Sequence, residues 1–406
     1  MPEVSFVNLL IVAAVGVAAP LLLGFLPRLR VPSAVLEIVA GVILGPSVLG
    51  WVQVDLPIQV LSVIGLAFLL FLAGLEIDLR SLRGRTLRVA GLGYVVTIVL
   101  GLAVGTGLAA VSWTDSALLV AIALSATSLG LIVAVLKDAG QERSAVGQAT
   151  LAGGTVADFA AVVLLTLFFS GSGRGTATTL VLLAVFAGLV VVVGLMLTRA
   201  GRSMHLENVL VQLQDTTAEI RVRMSVLLLV GFVALAEGFG LETILGAFLA
   251  GALLGLIDRD TSSHPHFRTK LEAIGYGFLI TVFFVASGVR LDLQGLIAEP
   301  GALLRVPVLL VALLLVRGLP ALLYAGTLGW PKAVAAGLLQ ATSLPFLVTA
   351  ATIGMEVGTI SATTGAALVC AGLLSVVLFP SLAVSRLRDS SSGHETKADG
   401  TVSRVP

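Results

Sequence analysis

The chain has 406 residues, of which 57% are hydrophobic and only 12% charged, and its formal net charge is +1. Soluble domains carry about 25% charged residues, so this composition excludes a soluble globular class and points to an integral membrane protein. Near-neutral charge with arginines scattered through short connections argues against a nucleic-acid partner, and the single cysteine, Cys370, excludes an intramolecular disulfide.

A spanning helix needs about 20 mainly apolar residues to cross about 30 Å of hydrocarbon. Taken in chain order, the runs that approach this are 6–26, 32–51, 57–76, 87–111, 116–136, 145–170, 177–198, 221–239, 241–257, 273–291, 303–327, 332–354 and 362–385, thirteen in all. The first has no basic residues before it and no clear small-residue cleavage site, so it reads as a span rather than a signal peptide. An odd number of spans puts the termini on opposite sides. Basic residues concentrate in the odd-numbered connections and the tail, among them Arg28, Arg30, Arg80, Arg83, Arg85, Arg88, Lys137, Arg143, Arg199, Arg221, Arg268, Lys270 and Arg386. By the positive-inside rule the N-terminus is expected outside and the C-terminus in the cytoplasm. Residues 389–406 are polar and poor in apolar residues, and a disordered cytoplasmic tail is expected there.

The stretch ATSL occurs at 126–129, in the fifth run, and again at 341–344, in the twelfth. Two further matches keep the same order. FLAGLEIDL (71–79) aligns with VASGVRLDL (285–293), and LEIVAGVILGPSVLG (36–50) with LETILGAFLAGALLG (241–255). Matched runs are seven spans apart, an odd number, so the copies cross the membrane in opposite directions. The pattern predicts an all-α polytopic fold with two inverted six-helix repeats linked by the seventh span. Such repeats are typical of secondary transporters, whose sites lie near the midplane where helices break.

ATSL then reads as the break. Non-helical backbone at membrane depth needs protein, water or ions as partners, and hydroxyl side chains help to supply them. In the twelfth run the motif leads into Pro345, which removes a backbone donor; in the fifth, Gly130 would ease the turn. Thr342, Ser343, Pro345 and Gly130 are therefore candidate crossing residues, and Thr127 and Ser128, with Thr155, candidate ligands for a cation or proton. The alternative is that these hydroxyls bond back to their own helices.

Ionisable groups deep in a span are costly and usually functional, and two qualify. Asp158 lies mid-span in TLAGGTVADFAAVVLLTL, with Thr155 one turn earlier on the same face and Gly153 and Gly154 opening room for a neighbouring helix. A carboxylate there holds either a proton or a small cation, and competition between them at one alternating-access site yields antiport. Arg317, in LLLVRGLPALL, stays protonated and so cannot carry the exchanged proton; it can compensate the charge of Asp158. Glu37, Glu76, Glu237, Glu242 and Arg290 lie near span ends and read as interfacial or interhelical contacts. His205, His264, His266 and His394 fall in connections or the tail, where His264 and His266 form a weak metal or pH-sensing pair. No phosphate loop, nucleophile elbow or cysteine cluster is present, so neither an enzyme nor a resident cofactor or metal is expected.

At VPSAVLEIVAGVILGPSVLG, FLLFLAGLEIDL, GLETILGAFLAGALLG and KLEAIGYGFLITVFFVASGVRLDL the chain resembles the cation/proton antiporter superfamily of sodium/hydrogen exchangers, nearest its Kef-type branch, over about residues 6–385. The resemblance implies a thirteen-span transmembrane domain over 1–388. Within it, scaffold spans at about 6–76 and 221–291 form a homodimer, and a mobile core comprises about 87–170 and 303–385, with a linker helix at 177–198. It further implies two crossing broken helices, an ion-binding aspartate at Asp158 and a basic partner at Arg317. Ala157 departs from the polar residue usual before that aspartate, Ser343 stands where Kef-type proteins often carry a carboxylate three residues beyond Gln340, and the cytoplasmic nucleotide-binding domain of Kef proteins is missing. The implied function is exchange of Na+ or K+ for H+ in a plasma membrane of prokaryotic type, electroneutral because only one midplane carboxylate is present. Two rivals remain: an organic-anion carrier using Arg317 as counter-charge, and a non-transporting membrane sensor or scaffold.

Overall fold

The computed structural model describes residues 6–25, 32–76, 84–169, 176–200, 219–257, 266–298 and 300–399, and among these every regular element is helical. His205, His264, Arg28, Arg30, Arg80 and Arg83 lie outside the described residues. In chain order the helices are α1 (Val7–Phe25), α2 (Ser33–Leu44), α3 (Leu56–Leu75), α4 (Gly84–Ala110), α5 (Ala117–Ser125), α6 (Leu129–Asp138), α7 (Ala145–Phe169), α8 (Thr176–Ala200), α9 (Ile220–Gly238) and α10 (Thr243–Ile257). They continue with α11 (Phe267–Ile274), α12 (Ile280–Val289), α13 (Leu293–Ala298), α14 (Pro300–Leu303), α15 (Arg305–Leu313), α16 (Ala325–Leu328), α17 (Trp330–Gln340), α18 (Pro345–Glu356) and α19 (Ala362–Asp399).

Helix occupies every apolar run, but not always as one continuous span. Nine helical stretches among the described residues are long and apolar enough to cross a membrane, and the pair α17 and α18, bent by 43°, makes a tenth. Helices α2 and α10 are shorter, at 12 and 15 residues. The second run stops at Leu44 rather than near 51 because Gly45 and Pro46 follow and the chain turns; Gly50 then takes a φ of 65°, open to glycine without strain. Two π-helical turns, Gly275–Leu279 between α11 and α12 and Leu314–Gly318 after α15, have no signature in the sequence pattern. After the second, Pro320 sits at the start of a 3-10 segment, Leu319–Tyr324. At the C-terminus α19 runs on to Asp399. Extending a helix already nucleated on packed turns costs far less than starting one.

The chain divides into two compact units. The first comprises residues 1–26, 33–79 and 162–291, the second 27–32, 80–161 and 292–406.

In the first unit α2 packs on α12 and α3 on α10 at backbone-to-backbone distance. A Cβ at Gly41 would lie 2.2 Å from the Val285 carbonyl oxygen, and one at Gly288 would lie 2.1 Å from that of Ile38. The other pair repeats the pattern: Gly74 would meet the Phe248 oxygen at 2.1 Å and Gly251 the Phe71 oxygen at 1.9 Å. Small residues at such crossings let helix backbones touch where lipid gives no hydrophobic drive. Phe71 thus corresponds to Val285 and Gly74 to Gly288, as the sequence alignment has them. Gly41, however, corresponds to Gly251 and not to Gly246, so VAGVILG pairs with LAGALLG. The sequence register for this pair followed the shared Leu-Glu at its start, whereas the physical constraint lies in the glycines. Around this frame, Phe186 of α8 meets Phe232 of α9 edge-on, with centroids 6.2 Å apart.

Candidate functional site

The site lies within the second unit and is built from two interrupted helices. Ser116 caps α5, its Oγ accepting from the Leu119 amide at 3.1 Å. The helix ends at Ser125, where Ala126 turns to extended backbone with ψ of 163°, and α6 begins at Leu129. Gly130 lies inside α6, not in the break, and the break itself uses only negative φ values, so the expected role for glycine is corrected. In the other copy α17 ends at Gln340 and Pro345 opens α18 as its first residue. Proline fits there because the amide it lacks would be unpaired anyway.

The two breaks bond to one another. The Thr127 hydroxyl donates to the carbonyl oxygens of Gln340 at 2.6 Å and Thr342 at 3.2 Å. The Ser128 amide donates to Thr342 O at 2.9 Å. The first copy supplies donors and the second supplies the carbonyls orphaned at the end of α17, so both breaks are satisfied at once. Thr342 in turn donates its hydroxyl to Leu338 O at 3.2 Å. ATSL therefore bonds across the crossing and, at Thr342 alone, back to its own helix.

Asp158, 9% exposed on α7, accepts the Thr127 amide on Oδ1 at 2.9 Å. The Leu129 amide also faces this carboxylate. A carboxylate at the first turn of α6 meets the positive end of that helix and its free amides. The approach depends on Gly154, whose Cβ would meet Leu129 at 3.1 Å and Thr127 at 3.2 Å. Thr155 is buried beside it. Gly153 makes room for Gln340, whose amide nitrogen would lie 2.6 Å from an added Cβ.

Arg317, 2% exposed, is carried by the π turn Leu314–Gly318. Its guanidinium donates to Thr97 Oγ1 and Gly153 O, both at a long 3.4 Å, and its Nε has no partner. It is electrostatically coupled to Asp158, Tyr94 and Tyr324, yet no direct ion pair joins it to Asp158 among the described residues. A cation this buried is tolerated at reach of a carboxylate, and the pair leaves Asp158 free for another ligand.

The structure thus brings together Asp158, Thr127, Ser128, Thr342, Arg317 and Thr155, with Ser343 and Pro345 on the second break. Several participants had no sequence signal strong enough to single them out. Tyr94 bonds Ser125 Oγ at 3.1 Å next to the first break, and Thr97 meets Arg317. Ser375 of α19 accepts the Ser343 amide on Oγ at 3.2 Å. Comparing polar residues one span beyond each ATSL would have found it, because the helices after both breaks hold such a residue. Glu37 and Arg290 belong to the first unit, where Glu37 meets the Thr281 hydroxyl at 3.4 Å.

The family described as sodium/hydrogen exchanger, transmembrane, matches residues 9–385. YjbQ of Bacillus subtilis (strain 168) is 32% identical over 395 residues, covering 94% of this chain and 63% of its own length. The glutathione-regulated potassium-efflux system protein KefC of Klebsiella pneumoniae subsp. pneumoniae is 30% identical over 398 residues, covering 94% of this chain and 61% of its own. The chain therefore spans less than two thirds of the length of these relatives. Among solved structures, the sodium proton antiporter MjNhaP1 of Methanocaldococcus jannaschii has the same fold, with a TM-score of 0.66 at 19% identity over 93% of this chain and 97% of that one.

Proposed function

Because the chain belongs to the sodium/hydrogen exchanger family, within the cation/proton antiporter superfamily, we propose that it exchanges a monovalent cation, Na+ or K+, for H+ across the membrane it spans. The observation that carries this reading is the placement of Asp158: a buried carboxylate at the start of α6, held by the Thr127 amide and within the field of Arg317. Proton and cation compete for it. The backbone oxygens of the second break and the hydroxyl of Thr155 are the neutral ligands at hand, and hard oxygen donors of this kind suit alkali cations.

Among the described residues of its unit, Asp158 is the one buried carboxylate, which supports one-for-one electroneutral exchange. The unit holding Asp158 serves as the moving core and the other as a scaffold that pairs with a second copy in a lipid membrane, N-terminus outside and C-terminus in the cytoplasm. Both ions of the family's exchange remain open as the substrate cation, since KefC is named for potassium efflux and the family for sodium. An organic-anion cargo fits less well, because the Arg317 donors face Thr97 and Gly153 and a carboxylate already occupies the crossing.

The test is antiport in proteoliposomes containing a pH dye, with Na+, K+ and Li+ added in turn. Cation-dependent proton movement, unaltered by an imposed membrane potential, is expected. Saturable carboxylate uptake indifferent to alkali cations would overturn it.

A further inference from the structure

The two halves of the crossing share a construction that the sequence matches do not display. In the first half, the break rests on Gly154 of α7, and the side chain one turn further along, Asp158, captures the Thr127 amide. In the second half, the break rests on Gly372 of α19, where an added Cβ would meet Ser343 O at 3.0 Å and Leu344 at 3.3 Å. One turn further along, Ser375 captures the Ser343 amide at 3.2 Å. The sequence separations of the two captured pairs are 31 and 32. Ser375 thus caps an amide of the second break as Asp158 caps one of the first, one ATSL position further along and with a neutral hydroxyl instead of a charge.

Ser375 is fully engaged, since its hydroxyl also reaches Gly372 O at 2.7 Å and Ser343 O at 3.1 Å. Ser343 is not. Its own hydroxyl is buried, on a residue with 0% exposure, and has no hydrogen-bond partner. A hydroxyl left unpaired in the interior is destabilising, and such a group in a folded protein needs an explanation, a bound ion among them. The two other orphans nearby, Arg317 Nε and Gln340 Nε2, are nitrogen donors that a cation would not approach. Ser343 alone offers an oxygen lone pair. It follows directly on Thr342, whose carbonyl takes the hydroxyl of Thr127, the residue whose amide holds Asp158.

We infer that the Ser343 hydroxyl is a ligand for the transported cation, contributed by the second break, and that Ser375 is its positioning residue. The inference rests on the antiport reading above. It makes Ser343 a determinant of ion preference, since a fixed neutral oxygen discriminates among alkali cations by size, whereas the carboxylate supplies charge.

The experiment is a titration of Na+, K+ and Li+ in proteoliposomes holding Ser343→Ala, Ser343→Thr or Ser375→Ala, with thermal unfolding followed with and without cation. Ser343→Ala should raise the apparent KM for the preferred cation about tenfold with the maximal rate kept, and should compress the ranking of the three ions. Its melting temperature without cation should stay level or rise, because an unpaired hydroxyl is removed, while the stabilisation by added cation shrinks. Ser343→Thr retains the oxygen and the preference; Ser375→Ala raises KM by a smaller factor. An unchanged KM and ranking in Ser343→Ala, or a fall in its cation-free melting temperature with no change in KM, would overturn the inference. Should Ser343→Ala not fold, Ser343→Cys replaces the hard oxygen with sulfur at similar size, and an unchanged KM there refutes it equally. Retained cation-dependent proton movement in Asp158→Asn would instead remove the antiport reading itself, whatever Ser343 does.

Discussion

The Thr127 hydroxyl donates to the backbone oxygen of Thr342 at 3.2 Å, so equivalent residues of the two ATSL copies touch each other at the crossing. One residue contributes its side chain and the other its main chain. A sequence repeat has thereby become an asymmetric device: the first copy offers amides to a carboxylate, and the second offers carbonyls to the first. Mutations at the crossing should accordingly separate charge from geometry.

Asp158→Asn is the cleanest such separation. The amide oxygen of asparagine can still accept the Thr127 amide, so the break keeps its cap and the protein should fold with a melting temperature near that of the parent. The charge is gone, and with it the ligand proposed for both proton and cation. Exchange in proteoliposomes should fall to background for Na+, K+ and Li+ alike, with cation-induced stabilisation lost in parallel.

Thr127→Val removes geometry and keeps charge. Valine has the same shape but leaves the carbonyls of Gln340 and Thr342 without the Thr127 hydroxyl, and Gln340 O loses its close 2.6 Å bond. A buried acceptor stripped of its donor costs about 1–3 kcal/mol. Lower thermal stability together with slower exchange is expected, whereas Thr127→Ser should restore most of both. Equal behaviour of the valine and serine variants would contradict the crossing as described.

How much of this was legible beforehand differs from residue to residue. Asp158 and Arg317 stood out because charges in apolar runs are expensive, and ATSL because it occurs twice. The inverted order of the repeats followed from counting spans. The register of α2 on α10 did not, because apolar helices share a small vocabulary and a shared Leu-Glu outweighed the glycines that matter. Ser375 was silent for a different reason: a lone serine in a membrane helix usually bonds back to its own helix, and only the position of the Ser343 amide reveals its second bond. The π turn beneath Arg317 also leaves no trace in a periodicity of apolar residues. Gly130 misled because glycine suggests a turn wherever it occurs, while this break uses extended backbone that any residue adopts.

The glycine frame of the first unit predicts where bulk is not tolerated. Gly41→Leu places a Cβ 2.2 Å from a backbone oxygen of α12, and backbone cannot rotate away as a side chain can. Overpacking of this kind costs about 1–3 kcal/mol or more, so the melting temperature in detergent should drop clearly. Gly24→Ala is the control, since nothing lies within 4 Å of its added Cβ and α1 continues through it. Its melting temperature should hold or rise slightly. A similar loss in both variants would argue against close backbone packing of α2 on α12.

Arg317 offers a test of charge balance. Truncating it to alanine removes the cation coupled to Asp158 and leaves a buried carboxylate less compensated, which lowers stability although no direct ion pair is broken. Added Na+ or K+ can then take over the compensating role. The melting temperature of Arg317→Ala should therefore be low without cation and climb more steeply with cation concentration than that of the parent. Arg317→Lys, which retains the charge, should respond like the parent. A cation response of Arg317→Ala no steeper than the parent's would show that the two groups act independently.

In the proposed exchange, the pH dependence follows from competition at a single carboxylate. Protonated Asp158 cannot hold a cation, so on the acid side each pH unit downward should raise the apparent KM for cation about tenfold, and on the alkaline side KM should level off. The sign is fixed: cation binding improves as pH rises and never the reverse. The slope carries the stoichiometry, since one titrating carboxylate gives one decade per unit and two acting together give two. Measuring apparent KM for Na+ and K+ across a pH series in proteoliposomes reads it directly. A limiting slope of one supports electroneutral exchange through Asp158 alone; a slope of two would require a second carboxylate at the crossing, where the described residues of the second repeat bring none.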